Sequence, residues 1–238
     1  MRIDPAAALK QAPLAVLWAV YIVFLVGGIG GHVLYGGTPA NMSWAAPLFL
    51  ALASAIAFAS VPSWWKPLAA AAAIGFAAEQ VGVRTGFPFG HYEYTAVLRP
   101  LVAGVPIAIA GAWLVLFAYV SQMRVHPALA ALWMAAIDLI IDPLGSHELN
   151  YWTWLQDGPY YGIPTVNFAG WFAVSLIIFY LLSRYPPPRS ASVAMLGRSV
   201  IFFFAAIAAA HHYLFPAFFG VGLAGLGYWR FAKRPRES

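Results

Sequence analysis

Long apolar runs separated by short polar breaks dominate the chain. They fall near 13–34, 44–61, 67–83, 100–120, 127–144, 165–183, 197–213 and 214–231. Each is close to the roughly 17–25 residues that carry a helix across the hydrocarbon core of a bilayer. The pattern predicts an all-α, polytopic membrane helix bundle, built as one integral membrane domain over residues 1–238. The last two runs are ambiguous. They form one apolar stretch from Ser199 to Tyr228, interrupted by His211, His212 and Pro216, which is either one long kinked helix or a tight helical hairpin. The total is therefore seven or eight spans.

Charge arbitrates between the two. With the N-terminus inside, the inner segments hold Arg2, Lys10, Lys66, Arg124, Arg184, Arg189 and Arg198, and the outer ones only Arg84 and Arg99, as the excess of basic residues in cytoplasmic loops requires. The tail RFAKRPRES adds Arg230, Lys233, Arg234 and Arg236, which also belong inside. An even number of spans follows, hence about eight, in a multi-pass protein of the cell membrane with both termini cytoplasmic. The first run continues past signal-peptide length with no small-residue cleavage site, so it reads as a retained span. The inner connection YPPPRSAS, Tyr185 to Ser192, is a proline-rich linker that could set a two-helix back apart from a six-helix front.

Composition agrees with the membrane reading. Hydrophobic residues make up 62% of the chain and charged residues 9%, with a mean hydropathy of +0.75, too few polar groups to cover a water-soluble globule. The surplus of base, thirteen Lys plus Arg against eight Asp plus Glu, is topological, and no nucleic-acid partner is expected. There is no cysteine, which removes disulfides, thiolate metal sites and cysteine nucleophiles together.

Topology sorts the remaining polar residues. Glu79, Glu93, Asp138, Asp142, Glu148 and Asp157, with His32, His91, His147, His211 and His212, all fall toward the outer side. Outer loops need some polar residues in any protein, and that accounts for part of the cluster. The segment DLIIDPLGSHELNYWTW holds its least expected members. Asp138 and Asp142 are spaced i, i+4, so a helix presents both from one face, although an aspartate near mid-membrane costs about 3 kcal/mol. Two carboxylates that close in low dielectric do not both ionise, so the pair reads as a poised acid and base. The plainer readings are a turn residue before Pro143 for Asp142 and a buried hydrogen-bonded aspartate for Asp138. Glu79 is either a headgroup-level residue or a third member of the cluster.

The loop GVRTGFPFGHYEYT, Gly82 to Thr95, is dense in glycine, proline and aromatics, which suits an ordered turn sequence. If extended, it places Tyr92 and Tyr94 on one side and His91 and Glu93 on the other; an aromatic belt pair is the plainer reading. The loop HELNYWTWLQDGPYYGIPTVNFAGW gathers Tyr151, Trp152, Trp154, Tyr160, Tyr161 and Trp171, suited to belt anchoring and to a lid over a cavity open to the bilayer.

Several activities are pruned. Lysine occurs only at positions 10, 66 and 233, outside the spans, so a retinal Schiff base has no attachment point. The histidines form no di-iron boxes, and no phosphate loop or dinucleotide fingerprint appears. DLIID fits the DxxxD pattern with which membrane prenyltransferases hold magnesium and a diphosphate, but no second aspartate-rich motif completes that site.

Taken together, EQVGVRTGFPFGHYEYT, VAGVPIAIAGAW, IDLIIDP and GPYYGIPTVNFAGW resemble the carotenoid biosynthesis family of membrane carotenoid hydratases, the bisanhydrobacterioruberin hydratase-like proteins, over Glu79 to Trp171. The resemblance implies a lyase that adds water, without a cofactor or metal, to the terminal carbon–carbon double bond of a linear carotenoid held in the bilayer, giving a tertiary alcohol. Protonating that alkene makes a tertiary carbocation, which demands a dry, positioned acid and is sheltered by aromatic faces. The expected catalytic residues are Asp138, Asp142 and Glu79. The expected substrate-binding residues are His91, Tyr92, Tyr94, Trp152, Tyr160, Asn167 and Trp171. A prenyl-transferring enzyme using Asp138 and Asp142 with magnesium, and a non-enzymatic carotenoid or lipid binding or transport protein, are the alternatives.

Overall fold

Every apolar run contributes a helix in the computed structural model, which describes residues 5–233, without the side chains of residues 5–11 and 40. Arg2, Asp4, Arg234, Arg236, Glu237 and the side chain of Lys10 lie outside the described residues, and so does the expectation that both termini are cytoplasmic. The helices are α1 (Pro5–Tyr35), α2 (Ala45–Ser60), α3 (Trp65–Thr85), α4 (Ile107–Ser121), α5 (Pro127–His147), α6 (Thr165–Leu182), α7 (Ala191–Ala210) and α8 (Leu214–Lys233).

Together they form an all-α bundle. The apolar length of α1, α5, α6 and α7 is enough for each to cross a membrane, and α2 with α3, bent by 102° at the short turn Pro62–Trp64, qualifies as a pair. The protein is thus a multi-pass membrane protein with four to five helical segments that meet the length and hydropathy of a span, against the eight expected. The physical reason is clearest in α4. Its 15 residues extend only about 22 Å at 1.5 Å per residue, short of a hydrocarbon core of about 30 Å. That helix is instead the centre of the bundle. It is apolar all round, buried continuously from Trp113 to Val120, and packs against α2, α3, α5 and α7, as a helix without a polar face must.

Three expected boundaries differ in the structure. Residues 100–106 do not open α4: Leu101–Val102 (β2) and Val105–Pro106 (β3) form a two-stranded hairpin whose turn puts Ala103 at φ +49° and Gly104 at φ +89°. α7 starts at Ala191 rather than 197, because the Ser190 hydroxyl accepts from the Val193 N–H at 3.2 Å and caps the helix. α5 continues through Pro143 to His147, so Asp142 is a helix-interior residue and not a turn residue before proline.

The ambiguous C-terminal run resolves into a hairpin. The chain breaks at His211–Tyr213, with His212 at φ +63°, and α7 and α8 pack along each other. These two helices do not stand apart behind the proline-rich linker, since α7 also packs on α1, α2, α4 and α5, and α8 on α5. At the end of α3 and α5, the strand Tyr92–Tyr94 (β1) pairs antiparallel with Trp152–Trp154 (β4), in the register Tyr92 to Trp154, Glu93 to Thr153 and Tyr94 to Trp152. This ribbon joins two loops distant in sequence and closes one end of a cavity.

Candidate active site

The site is built from four helices and the β1–β4 ribbon. On α5 the i, i+4 spacing aims Asp138 and Asp142 the same way, and both are buried, at 2% and 1% exposed. Asn167, in the first turn of α6, points its side-chain amide between them. Its Nδ2 donates to Asp138 Oδ2 at 2.6 Å and to Asp142 Oδ2 at 2.5 Å, and this pair of acceptors orients the amide. The other oxygen of Asp142 accepts from Trp152 Nε1 at 2.8 Å and Trp154 Nε1 at 3.3 Å. Because side chains two apart on a strand share a face, β4 presents both indoles to one carboxylate. Gly145 makes room for this: a Cβ there would lie 2.3 Å from Trp152 Cη2.

Glu79, on α3, is the second polar centre and is equally buried, at 4% exposed. Its Oε2 accepts from Tyr92 Oη at 2.5 Å and Tyr94 Oη at 2.8 Å, and its Oε1 from Trp113 Nε1 at 3.1 Å. Burial, and then the neighbouring Glu79, push the Tyr92 and Tyr94 hydroxyls well above the usual phenol range, so both stay protonated donors. The Trp113 ring stacks on Trp171 with centroids 4.2 Å apart and planes 11° apart. Trp113 packs directly on Gly75 of α3, where a Cβ would come within 2.2 Å of its ring.

These groups surround a cavity of about 100 Å³. Its polar lining is Glu79, Asp138, Asp142 and Asn167, with Tyr92, Tyr94, Tyr151, Trp152 and Trp154; the rest is apolar and comes largely from α2, α4 and α7. Of the ten residues singled out from sequence, eight line this cavity. His91 and Tyr160 do not. His91 is exposed, with its ring against Gly86, while Tyr160 donates to the Leu139 carbonyl at 2.7 Å. Glu93 faces outward from β1 and Asp157 is exposed. Glu148 pairs instead with His211 at 2.9 Å and Tyr213 at 2.9 Å. Of the aromatics Phe202 to Phe204, the second and third line the cavity and Phe202 is exposed.

Trp113 and Phe89 are lining residues that the sequence did not single out. The available signal was a lone tryptophan inside the otherwise aliphatic run VAGVPIAIAGAW. Among the described residues no group of three or more His, Cys, Asp and Glu side chains is arranged to hold a metal ion. The aspartates face N–H groups of Asn167, Trp152 and Trp154, which engage three of their four carboxyl oxygens.

The sequence matches the family model described as carotenoid biosynthesis protein over residues 42–226, a range that contains every cavity-lining residue and leaves α1 outside. A bisanhydrobacterioruberin hydratase from Haloarcula japonica is 32% identical over 119 residues, 42% of this chain and 39% of that protein. The shared region thus covers about two fifths of that curated relative. No solved structure matches the chain.

Proposed function

Since the chain belongs to the carotenoid biosynthesis protein family, we propose that it is a carotenoid hydratase, adding water across the terminal double bond of a linear carotenoid without a cofactor. Membership gives the coarser statement, a role in carotenoid biosynthesis. The observation that carries the finer reading is the pair Asp138 and Asp142, bridged by the Asn167 amide at 2.6 and 2.5 Å inside a cavity that is aromatic around them and apolar beyond.

Hydrogen bonding divides the roles. Asp142 has donors on both oxygens, which suits a carboxylate, whereas Asp138 is engaged through Oδ2, leaving Oδ1 to carry the proton. Two carboxylates bridged by one donor in a dry site share one proton between them. In the proposed step Asp138 delivers that proton to the less substituted alkene carbon, and the adjacent carbon becomes a tertiary cation. The faces of Trp113, Trp152, Trp154 and Trp171 attenuate its charge, at roughly 0.5–2 kcal/mol per well-placed ring. Water adds to the cation and releases its proton to Asp142 or Glu79, after which the pair is restored. One alkene and one water give one tertiary alcohol, with no net change in protons. Among the described residues no histidine lines the cavity, and the base in this reading is a carboxylate. Tyr92 and Tyr94 hold the Glu79 carboxyl in place with fixed donors beside the cation.

The same reading places the site at the outer membrane face with both termini cytoplasmic. A prenyl-transferring enzyme would hold magnesium through both aspartates, where three of the four oxygens already accept N–H bonds. A binding or transport protein would leave its carotenoid unchanged. Expression in cells that accumulate lycopene-type carotenoids separates the three by product mass: one added water, one added prenyl unit, or no change.

A further inference from the structure

A cavity of about 100 Å³ holds a chain end only, since sites that enclose whole ligands run to roughly 300–1,000 Å³. The rest of a linear polyene has to leave the bundle, and the polar end is no route for it. There the β1–β4 ribbon and the indoles of Trp152 and Trp154 close the cavity with hydrogen-bonded groups. The lining from α2 and α7, which pack on each other, is apolar throughout and forms an arm of Phe49, Leu50, Ala53, Val200, Phe203 and Phe204.

Two rings of that arm, Phe49 and Phe203, meet α1, and their centroids lie 5.2 Å apart. Tyr21 stacks on Phe49, with centroids 4.8 Å and planes 12° apart. Gly28 meets Phe203 so closely that a Cβ would sit 2.8 Å from the ring. α1 is otherwise a peripheral helix. Only 6% of its most apolar window is buried, it packs on α2 and α7 alone among the helices it touches extensively, and side-chain hydrogen bonds pin it at three levels. These are Trp18 to Ser192, Tyr21 to Ser199 and His32 to His211, each at 2.9 Å.

We propose that the polyene chain behind the reacting double bond occupies this arm and leaves the bundle between Phe49 and Phe203, beneath α1, which moves aside to admit it. The identity of the reacting end rests on the hydratase reading; the channel requires only a linear apolar polyene. The physical logic is that weakly buried helices held by a few polar pins are the elements that open at low cost, and a substrate dissolved in lipid enters a membrane protein from the side.

The chain has no cysteine, so introduced thiols are unambiguous probes. Ala53→Cys reports on the arm, and Phe202→Cys, exposed on the outside of α7, is the control. In reconstituted vesicles, lycopene is expected to slow N-ethylmaleimide modification at position 53 at least fivefold and to leave position 202 unchanged. In a separate chain without the position 53 thiol, His32→Cys and His211→Cys, joined by a short bifunctional methanethiosulfonate, pin α1. Uptake of lycopene by that protein should then fall at least tenfold and recover when the tether is reduced. If that variant does not accumulate, Tyr21→Cys with Ser199→Cys pins the same helix. Equal modification rates at position 53 with and without lycopene would overturn the channel, and lycopene uptake unaffected by the tether would overturn the role of α1. Protection without water addition to any linear carotenoid would keep the channel and remove the hydratase reading.

Discussion

Asp138 and Asp142, one helical turn apart on α5, converge on a single donor, the Asn167 amide nitrogen, at 2.6 and 2.5 Å. A shared donor holds the two carboxyl groups together where their charges would otherwise drive them apart. Replacing Asp138 by Asn removes the proton donor while keeping the shape. Turnover should fall roughly 10²–10⁴-fold, the usual contribution of a general acid, while carotenoid binding, read by co-purification of the coloured ligand, should persist. Asn167→Leu should also lower turnover, and the protein should become less stable because two buried acids lose their bridge.

Glu79 is surrounded by donors: Tyr92, Tyr94 and Trp113 all point hydrogens at it. Glu79→Leu leaves the Trp113 N–H and both hydroxyls without their acceptor, and a buried unsatisfied group costs about 1–3 kcal/mol. The expected result is a lower Tm in detergent together with reduced activity. In Glu79→Gln the amide oxygen keeps the Trp113 N–H and the NH₂ donates to the tyrosine hydroxyls, which accept as well as donate, so most of the Tm should return without the activity.

Gly145→Ala tests the indole contact to Asp142. A Cβ there would lie 2.3 Å from Trp152 Cη2, so the ring must move and Asp142 loses its 2.8 Å donor. Turnover should drop. Adding Trp152→Phe should relieve the crowding and recover thermal stability without recovering turnover, because the smaller ring brings no N–H.

Trp171 stacks on Trp113 and gives the cavity part of its aromatic wall. Trp171→Leu should reduce kcat by about 2- to 30-fold, the equivalent of roughly 0.5–2 kcal/mol of cation stabilisation. The effect should appear in kcat more than in KM, since the ring acts on charge that exists only after protonation.

The helices were legible because hydropathy over a span-length window is a strong local signal, and the i, i+4 aspartates were legible because that spacing survives into the fold unchanged. Long-range partners were not. The pairing of Tyr92 with Trp154 across β1 and β4 joins two loops that no local pattern connects, and it alone delivers the indoles to Asp142 and the phenols to Glu79. His91 shares the aromatic loop with Tyr92 and Tyr94 but lies on the exposed side of the ribbon, as strand alternation requires. Trp113 passed unnoticed because a tryptophan within an apolar span reads as core until Glu79 is found beside it. The short α4 was concealed too, because the β2–β3 hairpin in front of it is as apolar as a helix.

The central claim is water addition driven by the Asp138–Asp142 pair, and its most direct measurement is isotope incorporation. Purified protein reconstituted with a linear carotenoid in heavy-oxygen water, with chelator present throughout, should yield a product that has gained one water carrying the heavy oxygen, and Asp138→Asn should yield almost none. A carotenoid recovered with unchanged mass, or equal incorporation by the Asp138→Asn variant, would contradict the account.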